Sequence, residues 1–224
     1  MFQPIPVGDF LARTELDPHR DLAFPLGSAE EVVSLRDLDS IDAVQLMPIH
    51  ALEKILGHAT LAGGNKARMY EGCRVRLMAI SPKAARIGQR FIERKKYTAL
   101  LEKFGSILKN FSIPAGPADL GAFIAIGSTK EGKRAIALYV PPVVEMNGTT
   151  AWTLLDGIHR NFVIERMGGT TPVIVIERVK NPLPFSLHEW DKIALVDEKP
   201  PIEERYFDLK PDYFRDLKYV GIDG

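Results

Sequence analysis

The sequence predicts an α+β protein with a mostly helical N-terminal half and a mixed sheet with helices in its C-terminal half. Three observations predict this class. Segments before residue 112 carry apolar residues at helical spacing, short β-branched runs follow residue 120, and Gly and Pro separate the runs. We therefore expect a helical region over 1–112, a sheet core over 113–180 and a Pro-rich tail over 181–224 packed on that core.

In the N-terminal region, two helices and one strand are predicted. A helix is expected from about Ile49 to Leu61, ended by the glycine pair at 63–64. The run Arg74–Ile80 alternates basic and apolar residues early on, as a half-buried strand does. A long helix is expected over 83–110, and Gly105 is the point at which it could break.

Basic residues recur along this long predicted helix. Arg86, Arg90 and Arg94 are four residues apart and would share one face. The face from Arg86 to Lys96 could contact a nucleic-acid backbone, and Arg90 could complete a phosphate site. A solvated helix face is the plain alternative.

In the C-terminal half, strands are predicted in close succession. A hairpin joins 121–127 to 134–140, and a strand over 141–148 ends in the turn signal Asn147-Gly148. The chain then returns as a strand over 149–157, and Val173–Ile176 forms another strand after a short helix. In the tail, a short helix is expected near Phe185–Asp191.

Composition excludes several classes of function. The 224 residues carry 29 basic and 29 acidic side chains, which argues against a surface built mainly for DNA backbone. The single cysteine, Cys73, excludes an internal disulfide and fits a reducing compartment. No signal peptide is recognised, and no apolar run approaches the roughly 18 residues of a membrane span, so we expect a cytoplasmic protein without membrane contact.

The segment Trp152–Glu177 is the most informative part of the chain. A strand-like run ends at Asp156-Gly157, and the pair His159-Arg160 lies at the start of a short helix. The N–H groups of a helix N-terminus, an Arg and an imidazole can converge on one phosphate. This arrangement predicts a site for a phosphorylated small molecule or a nucleotide.

The residues of this turn have different expected roles. Asp156 could bind magnesium or orient His159, although capping the following helix is a common use of Asp. Gly157 could let a phosphate approach the backbone. His159 and Arg160 could bind phosphate oxygens and stabilise the charge that develops during transfer, and Asn161 could add a hydrogen bond.

Other candidate motifs are weaker. Residues 127–133 fit most of a nucleotide-binding P-loop, but Arg134 stands where Ser or Thr should hold magnesium, so a basic hairpin loop is the better interpretation. The remaining histidines lack metal-ligand spacing. The possible general bases are Glu30, Glu31, Glu71 and Glu145, and Glu145, on the strand before the motif, is favoured.

Residues 141–177 resemble the nucleotide-binding core of the ParB/sulfiredoxin superfamily, and Asp156-Gly157-Ile158-His159-Arg160 resembles its DGQHR/DGHHR-type branch. That family shares a strand, a turn, a returning strand that ends in such a motif, a helix and a Pro-led strand. Two departures matter. Ile158 stands where sulfiredoxin has its reactive cysteine, and His159 stands where chromosome-partitioning proteins have a second Arg.

The resemblance implies a mixed sheet and binding of ATP, ADP or CTP with Mg²⁺, in bacterial or phage DNA modification or defence. Its catalytic residues would be Asp156, His159 and Arg160, with Asp156 as the Mg²⁺ ligand. The remaining nucleotide contacts would come from Gly157, Ile158, Asn161 and Arg90.

Three functions are consistent with the sequence. The first is a Mg-dependent NTPase or phosphotransferase. The second is a non-enzymatic DNA-binding or regulatory protein that uses the Arg86–Lys96 face. The third is a kinase for a small metabolite such as a free amino acid. The sequence does not indicate an oligomeric state.

Overall fold

The computed structural model describes residues 2–22, 24–63, 67–95, 98, 121–147, 151–166 and 168–223. The strands are β1 Ile5–Pro6, β2 Glu31–Val33, β3 Leu38–Leu46, β4 Thr60–Leu61, β5 Arg74–Ile80, β6 Ala85–Ile87, β7 Phe91–Glu93, β8 Phe123–Thr129, β9 Arg134–Tyr139, β10 Val143–Asn147, β11 Ala151–Leu154, β12 Thr171–Glu177, β13 Ala194–Val196 and β14 Arg215–Asp216. The helices are α1 Val7–Thr14, α2 Pro18–Asp21, α3 Ile49–Gly57, α4 Ile158–Arg166 and α5 Ile202–Arg205.

Two five-stranded mixed sheets form the centre of the fold. The first has the order β1-β2-β9-β8-β3, and β8 and β9 form its antiparallel hairpin. The second has the order β5-β12-β10-β11-β6. Both sheets combine strands from before and after residue 112, so no division between the sheets coincides with that predicted boundary.

The prediction of a mostly helical N-terminal half is wrong. The described residues are mixed α/β with several sheets, and the helices among them are few and short. The predicted helix from Ile49 to Leu61 ends at Gly57, and the chain continues into strand β4. Residues 29–46, which carry no clear helical period, contribute β2 and β3 to the first sheet.

The long helix predicted over 83–110 is also wrong where the structure describes it. Residues 85–87 and 91–93 are strands. Among the described residues of this segment, only Arg94, Lys95 and Thr98 are α-helical. In β6, Ala85 and Ile87 are buried while Arg86 is exposed, which is the alternation of a strand. The pairing of β6 with β11 thus outweighs local helix propensity. Residues 99–110 and the predicted boundary at 111–119 lie outside the described residues.

The predicted succession of elements around the Asp156 motif is confirmed. β10 pairs antiparallel with β11, α4 follows, and β12 returns parallel to β10. Val173, Ile174, Val175 and Ile176 are fully buried, because β12 lies between two strands with both faces covered. The turn residues 148–150 lie outside the described part of the chain.

The tail beyond residue 180 is irregular, as predicted, and packs on both sheets. The short helix predicted near Phe185–Asp191 is wrong: only a 3₁₀ turn, Trp190–Lys192, is present there. Trp190 is buried and its indole N–H donates to the carbonyls of Pro82 and Ala85. The last residues reach the first sheet, where Ile222 bridges Leu138.

A buried ion pair fixes this tail to the second sheet. Arg215 donates Nε–H to Glu145 Oε1 at 2.8 Å and Nη2–H to Oε2 at 2.7 Å. The Glu145 side chain is 0% exposed and that of Arg215 is 3% exposed. The Tyr70 hydroxyl donates to Oε1 at 2.6 Å, and burial together with the negative charge of Glu145 raises the pKa of Tyr70 well above its usual range.

Among the described residues, none of the helices has both the length and the apolar character needed to cross a membrane.

Replacing Glu145 by Gln should lower the free energy of unfolding by about 3–5 kcal/mol, because Arg215 would remain buried without a counter-charge. The measurement is equilibrium denaturation in urea. Glu177→Gln is the matched control, since Glu177 pairs with the more exposed Arg76 on the neighbouring strands and should cost about 1 kcal/mol or less. Equal losses in the two variants would contradict the central role of the buried pair.

A basic cleft at the Asp156–Arg160 turn

The turn between β11 and α4 requires glycine at position 157. Gly157 has φ +80°, a left-handed conformation that other residues rarely adopt. A Cβ atom there would lie 2.7 Å from two side-chain carbons of Pro142 and 3.0 Å from Arg160 Nη2. The first turn of α4, whose N–H groups have no carbonyl partner within the helix, lies beside a cleft that residues 155–160 help to line.

Arg160 is engaged inside the protein. Its Nη1–H donates to the carbonyl of Val140 at 2.8 Å, its Nη2–H donates to Asp156 Oδ2 at 3.0 Å, and its guanidinium lies 5.2 Å from the ring centroid of Tyr139. Burial lowers the pKa of Arg160, but Tyr139 and Asp156 raise it more, so it stays charged. This geometry fits an Arg that shapes the turn better than one whose whole guanidinium binds a ligand.

His159 connects α4 to β7. Its Nε2 accepts a hydrogen bond from the backbone N–H of Glu93 at 3.2 Å. An accepting Nε2 carries no proton, so in this geometry the ring is neutral and does not add positive charge to the cleft. The predicted neutralisation of phosphate by His159 would require this bond to break.

Asn161 stabilises the turn through hydrogen bonds to its backbone. It is 1% exposed, and both its side-chain Nδ2–H and its backbone N–H donate to the carbonyl of Gly157 at 3.0 Å. Asn161 therefore makes a local polar contact within the turn. Asn161 does not line the cleft.

The cleft itself has a volume of about 680 Å³ and lies between the turn, the end of β9 and the C-terminal tail. This size is typical of small-molecule sites. Its lining is basic, with six Lys or Arg residues: Arg36, Lys95, Arg160, Lys199, Arg215 and Lys218. Its acidic residues are three: Asp156, Asp216 and Asp223.

Most of the acids in the cleft are already partnered. Asp223 accepts hydrogen bonds from Ser34, at 2.7 Å, and from Arg36, and Lys218 lies 4.0 Å away. Burial raises the pKa of Asp223, but these partners lower it more, so it is ionised and shared between two cations. Asp216 accepts from the N–H of Tyr219 at 3.2 Å. Since Glu145 neutralises Arg215, five basic residues remain against these three acids, and the cleft carries excess positive charge, with the exposed Lys95 among its lining residues.

An aromatic wall of Phe185, Tyr206 and Phe214 faces the same cleft. Tyr206 stacks on Phe185 with ring centroids 4.8 Å apart and meets Phe214 edge-on at 5.3 Å. Burial raises the pKa of Tyr206 to about 12, and the nearby negative charge of Asp156 adds to the effect.

Arg90 does not lie in the cleft with the Asp156–Arg160 turn. It lies outside the cleft lining, with its guanidinium 4.3 Å from the ring centroid of Phe207 in the tail. Arg86 and Arg94 do not share a helix face with it; they pair with Glu189 at 3.0 Å and Asp197 at 3.2 Å. The basic stripe predicted from four-residue spacing therefore does not exist in the described residues, because the segment is largely strand.

The described residues do not fit a magnesium centre held by the protein alone. Across the described ranges, no group of three His, Cys, Asp or Glu side chains could hold a metal ion. Asp156, the predicted Mg²⁺ ligand, already accepts from Arg160. Glu145, favoured as a general base, is fully buried in its ion pair with Arg215. The proposed function therefore assigns no role to a metal ion held by the protein or to Glu145 as a base.

Several cleft residues were not identified from the sequence. Lys199, Tyr206 and Arg215 reach the cleft through tertiary packing of distant segments, and no local motif marks them, whereas Lys95 belongs to the predicted Arg86–Lys96 face. The tail was predicted only to pack on the core, and no pattern in its sequence indicated that it would form a wall of the cleft.

No protein family, curated protein or solved structure was found to match this chain.

Gly157→Ala should lower the free energy of unfolding by about 2–5 kcal/mol, since it adds steric crowding to left-handed strain. Gly132→Ala is the matched control: φ is +79° there, nothing lies within 4 Å of the added Cβ, and about 1–2 kcal/mol is expected. Thermal and urea unfolding would measure both. Similar losses would show that the close approach of Pro142 and Arg160 is unimportant.

Proposed function

We propose that the protein binds a phosphorylated small molecule, foremost a nucleoside di- or triphosphate, in the basic cleft at the Asp156–Arg160 turn. The observation that carries the proposal is charge: apart from Arg215, which Glu145 neutralises, five basic against three acidic residues line one cleft of a chain whose net charge is zero. An anion in this cleft would meet the N-terminus of α4, where the helix dipole favours negative charge.

The roles within the cleft follow from the contacts. Gly157 allows the backbone turn, and the Asp156–Arg160 pair holds it in place. The first-turn N–H groups and Lys95, with Lys199 across the cleft, would contact phosphate oxygens. The resemblance of residues 141–177 to the ParB/sulfiredoxin superfamily supports the same ligand class and adds ATP, ADP or CTP as candidates, with Mg²⁺ carried by the phosphates.

Hydrolysis or transfer of phosphate is a further step of this proposal. Both reactions depend mainly on positioning and on stabilising charge on the transferred group, which a basic cleft supplies. Two carboxylates were predicted to have catalytic roles. Asp156 is paired with Arg160, and Glu145 is buried. Binding is therefore better supported than catalysis. The DNA-binding alternative has no observation in its favour, because Arg86 and Arg94 are paired with acidic residues.

The proposal predicts that the double variant Lys95→Gln/Lys199→Gln binds nucleotide at least about tenfold more weakly than wild type, because two charge-assisted contacts are lost. Isothermal titration calorimetry with ATP, ADP, CTP and GTP, each with and without Mg²⁺, provides the affinities. Phosphate release then separates hydrolysis from binding alone.

A charge-matched control is Lys130→Gln/Lys133→Gln, in the β8–β9 hairpin loop outside the cleft. It should bind like wild type. Loss of binding in this control alone would place the phosphates at the hairpin loop and contradict the proposal, and a folded wild type that binds no nucleotide would contradict it as well.

A further inference from the structure

The C-terminal tail presents two aromatic side chains to the cleft. Tyr206 and Phe214 are half-buried and line it, whereas Phe185 behind them is buried and 7% exposed. Phe185 stacks on Tyr206 with an interplanar angle of 12° and so covers one face of the Tyr206 ring. The tail thus builds a layered aromatic wall whose inner ring supports the outer two.

The backbone next to both outer rings is hydrogen-bonded to other segments, and the rings pack on Phe185 and on each other. Next to Tyr206, the carbonyl of Phe207 accepts from the N–H of Ser186 at 2.9 Å. The carbonyl of Phe214 accepts from the N–H of Ala62 at 2.8 Å, and the following residue is the buried Arg215. Because these rings are fixed by the fold, little ordering would be required when a ligand packs against them.

The wall and the turn belong to the same cleft. Asp156, Tyr206 and Phe214 all line it. Burial is the main cause of the raised pKa of Tyr206, and the negative charge of Asp156 raises this pKa further. The Tyr206 hydroxyl makes no hydrogen bond to any residue in the described part of the chain. A group between the wall and the turn would meet aromatic surface on one side and the N-terminus of α4 on the other.

We infer that Tyr206 and Phe214 hold the aromatic base of a nucleotide whose phosphates lie at the N-terminus of α4. This inference rests on the proposed function and narrows it: the tail selects nucleotides over phosphate compounds that lack a base. Stacking on an aromatic side chain tolerates every base, because each base has a π face. Recognition of one particular base is therefore not expected from this wall.

The first part of the test compares two ligands on the wild-type chain. Isothermal titration calorimetry with ATP and with inorganic tripolyphosphate, each with and without Mg²⁺, separates the base from the phosphates. We expect ATP to bind about tenfold or more tightly than tripolyphosphate. Equal affinity would overturn the inference while leaving an anion site intact.

The second part uses three variants. Tyr206→Leu removes the ring and should weaken ATP about tenfold or more without changing tripolyphosphate, whereas Tyr206→Phe keeps the ring and should bind like wild type. Phe207→Leu is the control, because Phe207 is the neighbouring ring, is 41% exposed and lies outside the cleft. Thermal unfolding checks that each variant is folded, and the wild-type comparison remains decisive if Tyr206→Leu is not.

The outcomes are distinct. A wild type that binds neither compound contradicts the proposed function, and this inference with it. A folded Tyr206→Leu variant that weakens both ligands alike, or neither, contradicts only the role of the ring. A Phe207→Leu variant with the same selective loss would also overturn it, since the effect would then not belong to the cleft.

Discussion

The ion pair between Glu145 and Arg215 is the constraint on which the rest of the structure depends. Glu145 lies fully buried on β10, between β11 and β12, where an unpaired carboxylate would be unstable. Only a tail that returns to this strand can supply Arg215. The residues that flank Arg215 in sequence, Phe214 and Asp216 to Lys218, then form a wall of the cleft. A charge that the core must neutralise thus fixes the position of the tail and, with it, the shape of the cleft.

A second ion pair, between Arg160 and Asp156, stabilises another part of the cleft wall. Arg160 and Asp156 neutralise each other at 3.0 Å, with side chains only 13% and 16% exposed. A rigid turn results, with the N-terminus of α4 facing the cleft. Since the charges closest to the turn neutralise each other, the excess positive charge of the cleft comes from residues farther along its walls, among them Lys95 and Lys218. The motif supplies the geometry, and distant segments supply much of the charge.

Local sequence predicted the parts of this arrangement that are governed by local physics. The glycine turn, the short α4 helix and the β-branched strand β12 follow from backbone freedom, periodicity and burial within one segment. The prediction failed over 85–93, where strands pair with β11 and β13 that lie far away in sequence. It also placed Arg90 at the phosphate site, assigned Lys95 only to a basic helix face and did not place Tyr206 at the cleft, because no spacing rule relates residues that only tertiary packing brings together. Glu145 was favoured as a general base, but it is buried in an ion pair with Arg215, a partner that no local pattern indicates.

The central claim is that the first turn of α4 faces a bound phosphate group. The most direct test is the ¹H–¹⁵N correlation spectrum of the protein during titration with ATP. Saturating ATP should shift the backbone amides of residues 157–160, whereas those of the β8–β9 hairpin loop at 130–133 should stay unchanged. Shifts confined to the hairpin loop, or an unchanged spectrum at saturating concentration, would contradict the account.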